Sequence, residues 1–310
     1  MTSKSNKTYN LPLIIAILTV WVGSFLSSCS QKDLVYDSDP VKVMVDFDWI
    51  DASGASPEGM TVLFFPADEN SQIWRFDIAD RNGGEIELLS GIYNVIAFNN
   101  DLPGVEFSNT DSFDRFSASS RNINDSVTSQ TGMLYAASLK ATALYPDIRK
   151  ELRICMTPDS LATDYHISLD SVSGTQRIKT ATAILKGLAR SVCLQLKCNS
   201  EQTCCVSAPL HIDPYCQSRL ETVATGFGNP DIPDPKINME IIVTTSHGKY
   251  SKTFDVTDQI MNSMHPKDVY INIKGLDIPE SDDPTNPDGN LDVGISVGVD
   301  GWQLIEIFYS

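Results

Sequence analysis

Apolar and polar residues alternate with a period of two along most of the chain after residue 40. In Val41–Trp49 the odd positions are apolar and most even positions are polar, and Gln72–Ile78 alternates in the same way. This pattern is typical of a β-strand that buries one face. Residues 60–65 are instead apolar apart from Thr61, which predicts an inner strand that is buried on both faces.

Similar segments continue to the end of the chain, with little sign of helix. Asp255–Met264 is the one helix that the sequence predicts, with Asp255 or Thr257 as its N-cap. Residues 105–132 are rich in Ser, Asn and Asp, so we expect a long loop there with little regular structure. The other segments with strand character are 85–88, 93–98, 133–144, 151–157, 180–196, 206–212, 237–243, 250–254, 269–273, 291–299 and 302–309.

Many short strands with few helices predict an all-β protein built from β-sandwiches. The stretch 158–177 is rich in turn residues, and we place a domain boundary within it. The sequence therefore predicts two tandem sandwiches, at 41–170 and 171–310. In the closing strand, 302–309, both faces are largely apolar. That pattern fits either exchange of this strand with another subunit or a central strand whose second face is covered within the same chain. We favour the central strand.

The N-terminus has the features of an export signal. Two lysines precede an apolar run at 11–26 that is too short for a comfortable transmembrane helix. The run ends in a sequence that resembles a lipobox: Leu26, Ser27, Ser28 and Cys29. We therefore expect a lipoprotein signal peptide at 1–28, a diacylglycerol on the Cys29 thiol, and an acidic tether at 29–40. The alternative is a signal anchor with an incidental cysteine.

The chain is strongly acidic. Its formal net charge at pH 7 is −17, and cleavage after residue 28 would remove two lysines and no acidic residue. Nucleic-acid backbones and anionic membrane surfaces repel such a chain, so we expect no nucleic-acid partner. The hydrophobic fraction of 42% is ordinary for a globular protein, which argues against broad disorder.

The sequence lacks the common motifs of catalysis. It has no Gly-x-Ser-x-Gly elbow, no His-Glu-x-x-His pair and no phosphate-binding glycine-rich loop, and its four histidines are scattered. Asp46 and Asp48 form an acidic pair, but they lie on the polar face of a predicted strand. The acidic loop 282–290 does not fit the EF-hand pattern, although an irregular site of oxygen ligands is an alternative. We expect no enzymatic activity, no cofactor and no metal site.

Cysteine and tryptophan residues give further expectations. Apart from Cys29, five of the cysteines fall within residues 193–216, and an exported protein can form disulfides. Cys193 alternates with leucines and fits a buried free thiol equally well. We expect at least one disulfide among Cys198, Cys204, Cys205 and Cys216. Trp49 and Trp74 share faces with apolar neighbours, so we assign both to the core and predict no exposed aromatic platform for glycans.

Several short motifs together resemble a family of bacterial surface proteins. They are Gly59–Pro66, Trp74–Phe76, Leu88–Tyr93, Phe98–Asp101, Leu185–Val192, Phe254–Thr257, Ile273–Pro279 and the strand that begins at Trp302. On these motifs the chain resembles the fimbrillin-associated anchor and minor fimbrial lipoproteins of Bacteroidales, and related uncharacterised lipoprotein families. The similarity extends over nearly the whole chain after Cys29.

The resemblance implies a fold, a location and partners. It implies two transthyretin-like β-sandwiches in a protein held by acyl chains on Cys29 in the outer membrane. The acidic tether also resembles the export signal of Bacteroidota surface lipoproteins, with a plain periplasmic linker as the alternative. The implied partners are outer-membrane lipid and fimbrial subunits, which join by β-strand addition. Three motifs resemble O-glycosylation sites of exported Bacteroidota proteins, with acceptors in predicted loops at Ser126, Ser160 and Ser171.

Three functions are compatible with the sequence. The first is a fimbrial anchor or accessory adhesion subunit without enzymatic activity, and the resemblance favours it. The second is a stand-alone surface lipoprotein that binds a ligand or glycan, for which exposed aromatic side chains would be the sign. The third is a hydrolase, which requires histidine and acidic side chains that converge in one cleft.

Overall fold

In a computed structural model, the chain is built almost entirely from β-strands. The residues that the structure describes are 40–68, 71–124, 126–146 and 151–278, together with the backbone of 303–304. The strands of the first half are β1 (Pro40–Phe47), β2 (Met60–Pro66), β3 (Trp74–Ile78), β4 (Gly83–Leu89), β5 (Gly91–Phe98), β6 (Val105–Ser108), β7 (Ser117–Ser120), β8 (Tyr135–Leu144), β9 (Leu152–Met156) and β10 (Asp159–Ser160).

The second half contains ten more strands and a single short α-helix, α1, among the described residues. The strands are β11 (Ala162–Asp170), β12 (Thr180–Ala189), β13 (Ser191–Cys193), β14 (Cys198–Asn199), β15 (Thr203–Asp213), β16 (Cys216–Phe227), β17 (Asn238–Thr244), β18 (Lys249–Asp255), β19 (Asp268–Lys274) and β20 (Gln303–Leu304). Helix α1 is Thr257–Met261, and two 3-10 turns lie at Ile50–Ala52 and Thr175–Arg177. The prediction of a β-rich protein with little helix is confirmed.

Two sheets of the first half pack face to face. One has the strand order β4-β1-β9 and the other has the order β10-β8-β5-β2-β3. All of their pairs are antiparallel except β1 with β9. The odd-numbered residues of Val41–Phe47 are buried between these sheets, which explains the alternation of that segment. Trp49 is also buried there, and Trp74 packs at the margin of the same core, as the sequence predicts.

Strand β2 is buried on both faces, which confirms the prediction from its mostly apolar run. Met60, Val62 and Phe64 face the first core, between the two sheets described above. Leu63 and Phe65 point to the other side, where they join a second core. A strand with two dry faces has no position for a polar side chain that requires water, so its sequence does not alternate.

The second face of the five-stranded sheet is covered by a third sheet, with the order β14-β13-β7-β6. Strands β6 and β7 lie within residues 105–132, so the prediction of a long loop with little regular structure is wrong there. Val105, Phe116 and Ala118 are buried in the core beneath this sheet. Each of these strands has only four residues. That length is too short for the alternation of apolar and polar residues to stand out from the surrounding serines and asparagines.

The remaining strands form an eight-stranded arrangement with the order β19-β11-β16-β15-β12-β17-β18-β20. Strand β15 pairs with β12 over most of its length and with β16 only near its end, so it passes from one layer to the other. Buried residues of β11, β16 and β19 pack against buried residues of β12, β15 and β17 in one core. This part of the chain is therefore also a β-sandwich.

Local hydrogen bonds define one hairpin and the start of the helix in the second half. Strands β17 and β18 form a hairpin whose turn contains His247, and Thr245 N donates to Gly248 O at 2.9 Å. The predicted N-cap of α1 is wrong, because the N-cap is Val256, which lies between the two predicted residues and makes no side-chain capping hydrogen bond. Asp255, one residue earlier, accepts a hydrogen bond from Thr257 N on its Oδ1 at 2.9 Å. The helix is shorter than predicted, because the chain turns after Met261 and soon reaches Pro266.

The second core joins the two halves of the chain. It contains Phe98 and Phe116 from the first half, and Val192, Leu194 and Phe227 from the second. The described residues from Pro40 onward accordingly form one compact unit. Strand β11, which precedes the predicted boundary at 170/171, pairs with β16 and β19, which follow it. The boundary and the transthyretin-like character of the halves stay predictions.

Candidate partner-binding edge

An exposed sheet edge and a groove lie side by side in the first half. The four-stranded sheet ends at β6, and beside that strand no described residue covers part of the five-stranded sheet. The uncovered region is a cavity of about 650 Å³. We call it the β6 groove, and its lining includes Leu63, Arg75, Phe98, Leu102, Phe107 and Thr110. A further strand added beside β6 would run through this groove and above β2 and β3.

The main chain of β6 has hydrogen-bonding groups directed at the groove. Arg121 N donates to Gly104 O at 2.9 Å, so that pair is of the hydrogen-bonded type in the antiparallel ladder. Hydrogen-bonded and non-hydrogen-bonded pairs alternate along such a ladder. The Phe107–Ala118 pair is therefore non-hydrogen-bonded, and the N–H and C=O of Phe107 point away from β7 toward the open edge. These are the groups that an added strand requires.

The floor of the groove is a rigid aromatic cluster. The ring centroids of Phe98 and Phe107 lie 4.6 Å apart, and those of Phe98 and Phe116 lie 5.1 Å apart with an edge-to-face angle of 81°. Phe116 is fully buried, while Phe107 is only half-buried. Interlocked aromatic rings hold their positions well, so the apolar floor is present before any partner binds.

Charged side chains of both signs line the rim. Arg121 Nε lies 3.3 Å from Glu106 Oε1, and Arg75 Nη2 lies 3.1 Å from Asp77 Oδ1. Thr61 Oγ1 donates to Asp77 Oδ1 at 2.5 Å. This hydroxyl, with a smaller contribution from Arg75, holds the pKa of the Asp77 carboxyl below its usual value. Because the side chains of both ion pairs are at least half exposed, the effect of each pair on stability is a few tenths of a kcal/mol at most.

The edge of β19 is closed by a side chain. Gln259 on α1 accepts a hydrogen bond from Asn272 N at 2.8 Å, and its Nε2 donates to Asn272 O at 3.3 Å. A single amide thus satisfies a donor and an acceptor of the β19 main chain, as a neighbouring strand would. The edge of β19 is therefore less available to a partner than the edge of β6.

One exposed aromatic pair was not predicted. Tyr270 on β19 is 60% exposed, and its ring stacks on that of His166, with centroids 4.6 Å apart and an angle of 13°. His166 Nε2 lies 3.5 Å from Asp268 Oδ1. The signal was present in the sequence, because Val269 and Ile271 are buried and the residue between them must face the opposite side.

The predicted modification sites have different positions in the structure. Cys29 and the lipobox residues Leu26, Ser27 and Ser28 lie outside the described residues. Ser126 and Ser171 are exposed in turns, so both remain candidates for O-glycosylation. Ser160 requires correction, because it lies in β10 and only 6% of it is exposed. Its hydroxyl donates to Ala162 O at 2.8 Å, and burial makes the hydroxyl oxygen inaccessible to a glycosyltransferase in the folded chain.

The predicted disulfide among Cys198, Cys204, Cys205 and Cys216 stays a prediction. These four residues are free thiols in the structure, as are Cys155 and Cys193. In the strand ladders, Cys204 faces Leu188, Cys205 faces Lys186, and Cys216 faces Asp213. Burial raises the pKa of the Cys204 thiol, so this sulfur is a weak nucleophile inside the fold. In the described ladders, one pair of cysteines lies directly opposite each other, Cys193 and Cys198.

The described residues bring together few groups with catalytic or metal-binding character. Asp46 Oδ2 accepts from Arg153 Nη1 at 2.9 Å, and Asp48 Oδ1 accepts from Ile50 N at 3.2 Å, so both members of the acidic pair have structural partners. No group of three or more His, Cys, Asp or Glu side chains in the described part of the chain is placed to hold a metal ion. Within the same residues, no helix is long and apolar enough to cross a membrane.

Comparison with known proteins identifies the relatives of this chain. It is 20% identical, over 96% of both chains, to a Bacteroides ovatus protein described as "Putative fimbrium anchoring subunit Fim4B". A structure described as a "putative adhesin" from Bacteroides ovatus has 17% identity and a TM-score of 0.63, and covers 83% of this chain and 99% of its own. The fimbrial anchor protein Mfa2 from Porphyromonas gingivalis has 12% identity and a TM-score of 0.50, and covers 76% and 91%.

These likenesses confirm the predicted resemblance to fimbrial anchor proteins and adhesins. The structural matches establish a shared fold, and the sequence match extends over nearly the whole chain. The family model described as "Domain of unknown function (DUF5119)" matches residues 28–211, more than half of the sequence. The chain therefore belongs to the DUF5119 family.

Proposed function

We propose that this protein is a lipid-anchored subunit at the cell surface, a fimbrial anchor or accessory adhesion subunit that binds partner subunits by β-strand addition. The observation that carries the proposal is the open edge of β6 beside an apolar groove, in a chain related to fimbrial anchor proteins. The role requires no chemistry on a substrate, so the protein acts as a structural component and not as an enzyme.

The β6 groove supports each requirement of strand addition. Main-chain groups of Phe107 would pair with the incoming strand, which gives affinity. Alternate side chains of that strand would enter the groove above Leu63 and Phe98, which fixes the register. The charged side chains of both signs at the rim would favour a strand whose polar face carries complementary charges.

The proposed anchor is the lipid on Cys29. After removal of residues 1–28, acyl chains on this cysteine would hold the tether and the folded unit at the outer membrane. Each buried CH₂ contributes about 0.8 kcal/mol, so several chains give a durable attachment. The fold would then be the fixed end of a fibre, while the open edge of β6 receives the next subunit.

The experiment that tests strand addition compares outer-membrane extracts on SDS gels with and without boiling, probed with an antibody to the mature chain. A strand-exchanged assembly should appear as a ladder that collapses to one band on heating. Thr110→Trp places an indole at the exposed mouth of the groove and should remove most of the ladder. Thr180→Trp, at an exposed position on β12, is the control and should keep it.

A single monomer band in both wild-type lanes would contradict the strand-addition mechanism under that growth condition. The anchor is tested separately by metabolic labelling with radioactive palmitate. The wild-type chain should carry the label, and Cys29→Ala should lose both the label and the membrane fraction. Retention of the label in Cys29→Ala would disprove the assignment of this cysteine.

A second candidate function is binding of a glycan on the outer face of β19. The exposed face of Tyr270, with Asp268 and His166 beside it, offers an apolar platform and polar groups of the kind that hold a sugar ring. Tyr270→Ala should abolish binding on a glycan array if this function holds, while Tyr215→Ala, at a 98% exposed position elsewhere, should not. Absence of any bound glycan for the wild-type protein would leave the fimbrial function alone.

A further inference from the structure

Cys193 and Cys198 face each other across the β13–β14 hairpin, with only four residues between them. Ser200 N donates to Ser191 O at 2.8 Å, so Ser191 and Ser200 are a hydrogen-bonded pair of this ladder. The alternation of the ladder makes Cys193–Cys198 another pair of the same type. The Cα atoms of such pairs lie about 5.5 Å apart, which is the separation most common in disulfides. Directly opposed side chains also point to the same face of the sheet.

The two thiols lie on the outer face of the four-stranded sheet. Val192 precedes Cys193 in β13, and its side chain is buried in the core beneath the sheet. Because successive side chains of a strand alternate between faces, Cys193 points to the opposite, outer face. Cys193 is half-buried, Cys198 is exposed, and the Cys193 Sγ lies 3.8 Å from Asp114 O. Partial desolvation and then the neighbouring Cys193 sulfur raise the pKa of the Cys198 thiol, as expected when the two sulfur atoms are close.

We propose that Cys193 and Cys198 are a disulfide-forming pair that closes the β13–β14 hairpin. The oxidant is a disulfide of a small thiol or of a thiol oxidoreductase. The thiolate of the exposed Cys198 attacks one sulfur of the oxidant and releases the first thiol as a mixed disulfide forms. The Cys193 thiolate then attacks the Cys198 sulfur and releases the second thiol. Two electrons pass to the oxidant, and the two thiol protons leave with its reduced sulfurs.

The bond would hold a part of the fold that joins the two halves of the chain. Leu194 follows Cys193, is fully buried in the second core, and donates its N–H to Phe116 O at 3.0 Å. Strand β14 is a two-residue edge strand with few hydrogen bonds of its own. A covalent link to β13 would prevent this edge from separating, and so keep Leu194 against the aromatic floor beneath β6 and β7.

Trypsin provides a direct test, because it cleaves after Lys197, between the two cysteines. Cys193 is then the one cysteine of peptide 191–197, and Cys198 lies in peptide 198–219. Cells are treated with N-ethylmaleimide before lysis, and the mature chain is purified from the envelope and digested without reduction. We expect the two peptides to be recovered as a linked pair. The link should persist in Cys204→Ser/Cys205→Ser/Cys216→Ser and disappear in Cys198→Ser.

Recovery of peptide 191–197 with N-ethylmaleimide on Cys193 in the wild-type chain would overturn the proposal, as would a link that persists in Cys198→Ser. A second measurement uses purified chain treated with glutathione disulfide and then with a phosphine reductant. Reduction should lower the wild-type Tm by about 5 °C and leave that of Cys193→Ser/Cys198→Ser unchanged. An equal change in that variant would contradict the assignment. This measurement is independent of export and of fibre assembly.

Discussion

The edges of β6 and β19 are both exposed ends of sheets, and they are terminated in opposite ways. At β19 the amide of Gln259 binds both the N–H and the C=O of Asn272. At β6 the N–H and C=O of Phe107 face a groove of about 650 Å³ with an apolar floor. One side chain thus closes an edge strand in the second half of the molecule, whereas in the first half no residue of the described part of the chain closes the edge of β6.

The difference supports the proposal that β6 is the edge that receives a partner strand. An open edge is a hazard, because it can pair with any extended chain, and proteins usually block it. At β19 the side-chain amide of Gln259 provides such a block, because it binds both main-chain groups of Asn272. At β6 it instead provides a groove with a prepared aromatic floor and charged residues of both signs at the rim. Selective binding of one strand requires these features, whereas a blocked edge requires none of them.

The largest expected effect comes from removal of the support beneath β6. Phe116→Ala deletes a fully buried ring that contacts Phe98 and Phe107, and should lower the free energy of unfolding by about 3–5 kcal/mol. Ile271→Ala, fully buried under β19, should cost about 2–5 kcal/mol and serves as the control. Guanidinium denaturation measures both losses.

The two variants should differ in assembly even if their stabilities are similar. Phe116→Ala should weaken the SDS-resistant ladder, because Phe107 loses the ring that positions it, while Ile271→Ala should keep the ladder. If the two variants lose assembly to the same extent, general destabilisation explains the loss and the β6 groove has no special role.

A smaller effect is expected from opening the edge of β19. Gln259→Ala removes both hydrogen bonds to Asn272 and should lower stability by about 1–2 kcal/mol. The exposed edge should also make the chain self-associate as its concentration rises, which size-exclusion chromatography with light scattering detects. Gln259→Glu keeps the acceptor but loses the donor, so its behaviour should be intermediate. Monomeric Gln259→Ala at all concentrations would show that the amide does not protect this edge.

Sequence patterns predicted the parts of these edges that depend on burial alone. The mostly apolar run of β2 predicted two covered faces, and the alternation in Val269–Ile273 predicted β19. Strands β6 and β7 were missed because four-residue strands show too little periodicity. The groove and the Gln259 contact depend on which strands become neighbours, and that information is not contained in any local window of sequence. The same reason explains the incorrect loop position of Ser160, since β10 is a strand only through its pairing with β8.

The smallest effect is a pH dependence at the rim of the β6 groove. The Thr61 hydroxyl and then Arg75 lower the pKa of Asp77, so its carboxylate stabilises the folded state above the unfolded-state pKa of about 3.9. This contribution is lost as the pH falls through the lower, folded-state value. Asp77→Asn should therefore lose a few tenths of a kcal/mol near neutral pH and show a shallower decline below about pH 4. Parallel acid-unfolding curves for the wild-type protein and Asp77→Asn would contradict this expectation, and would leave Asp77 to act through partner selection alone.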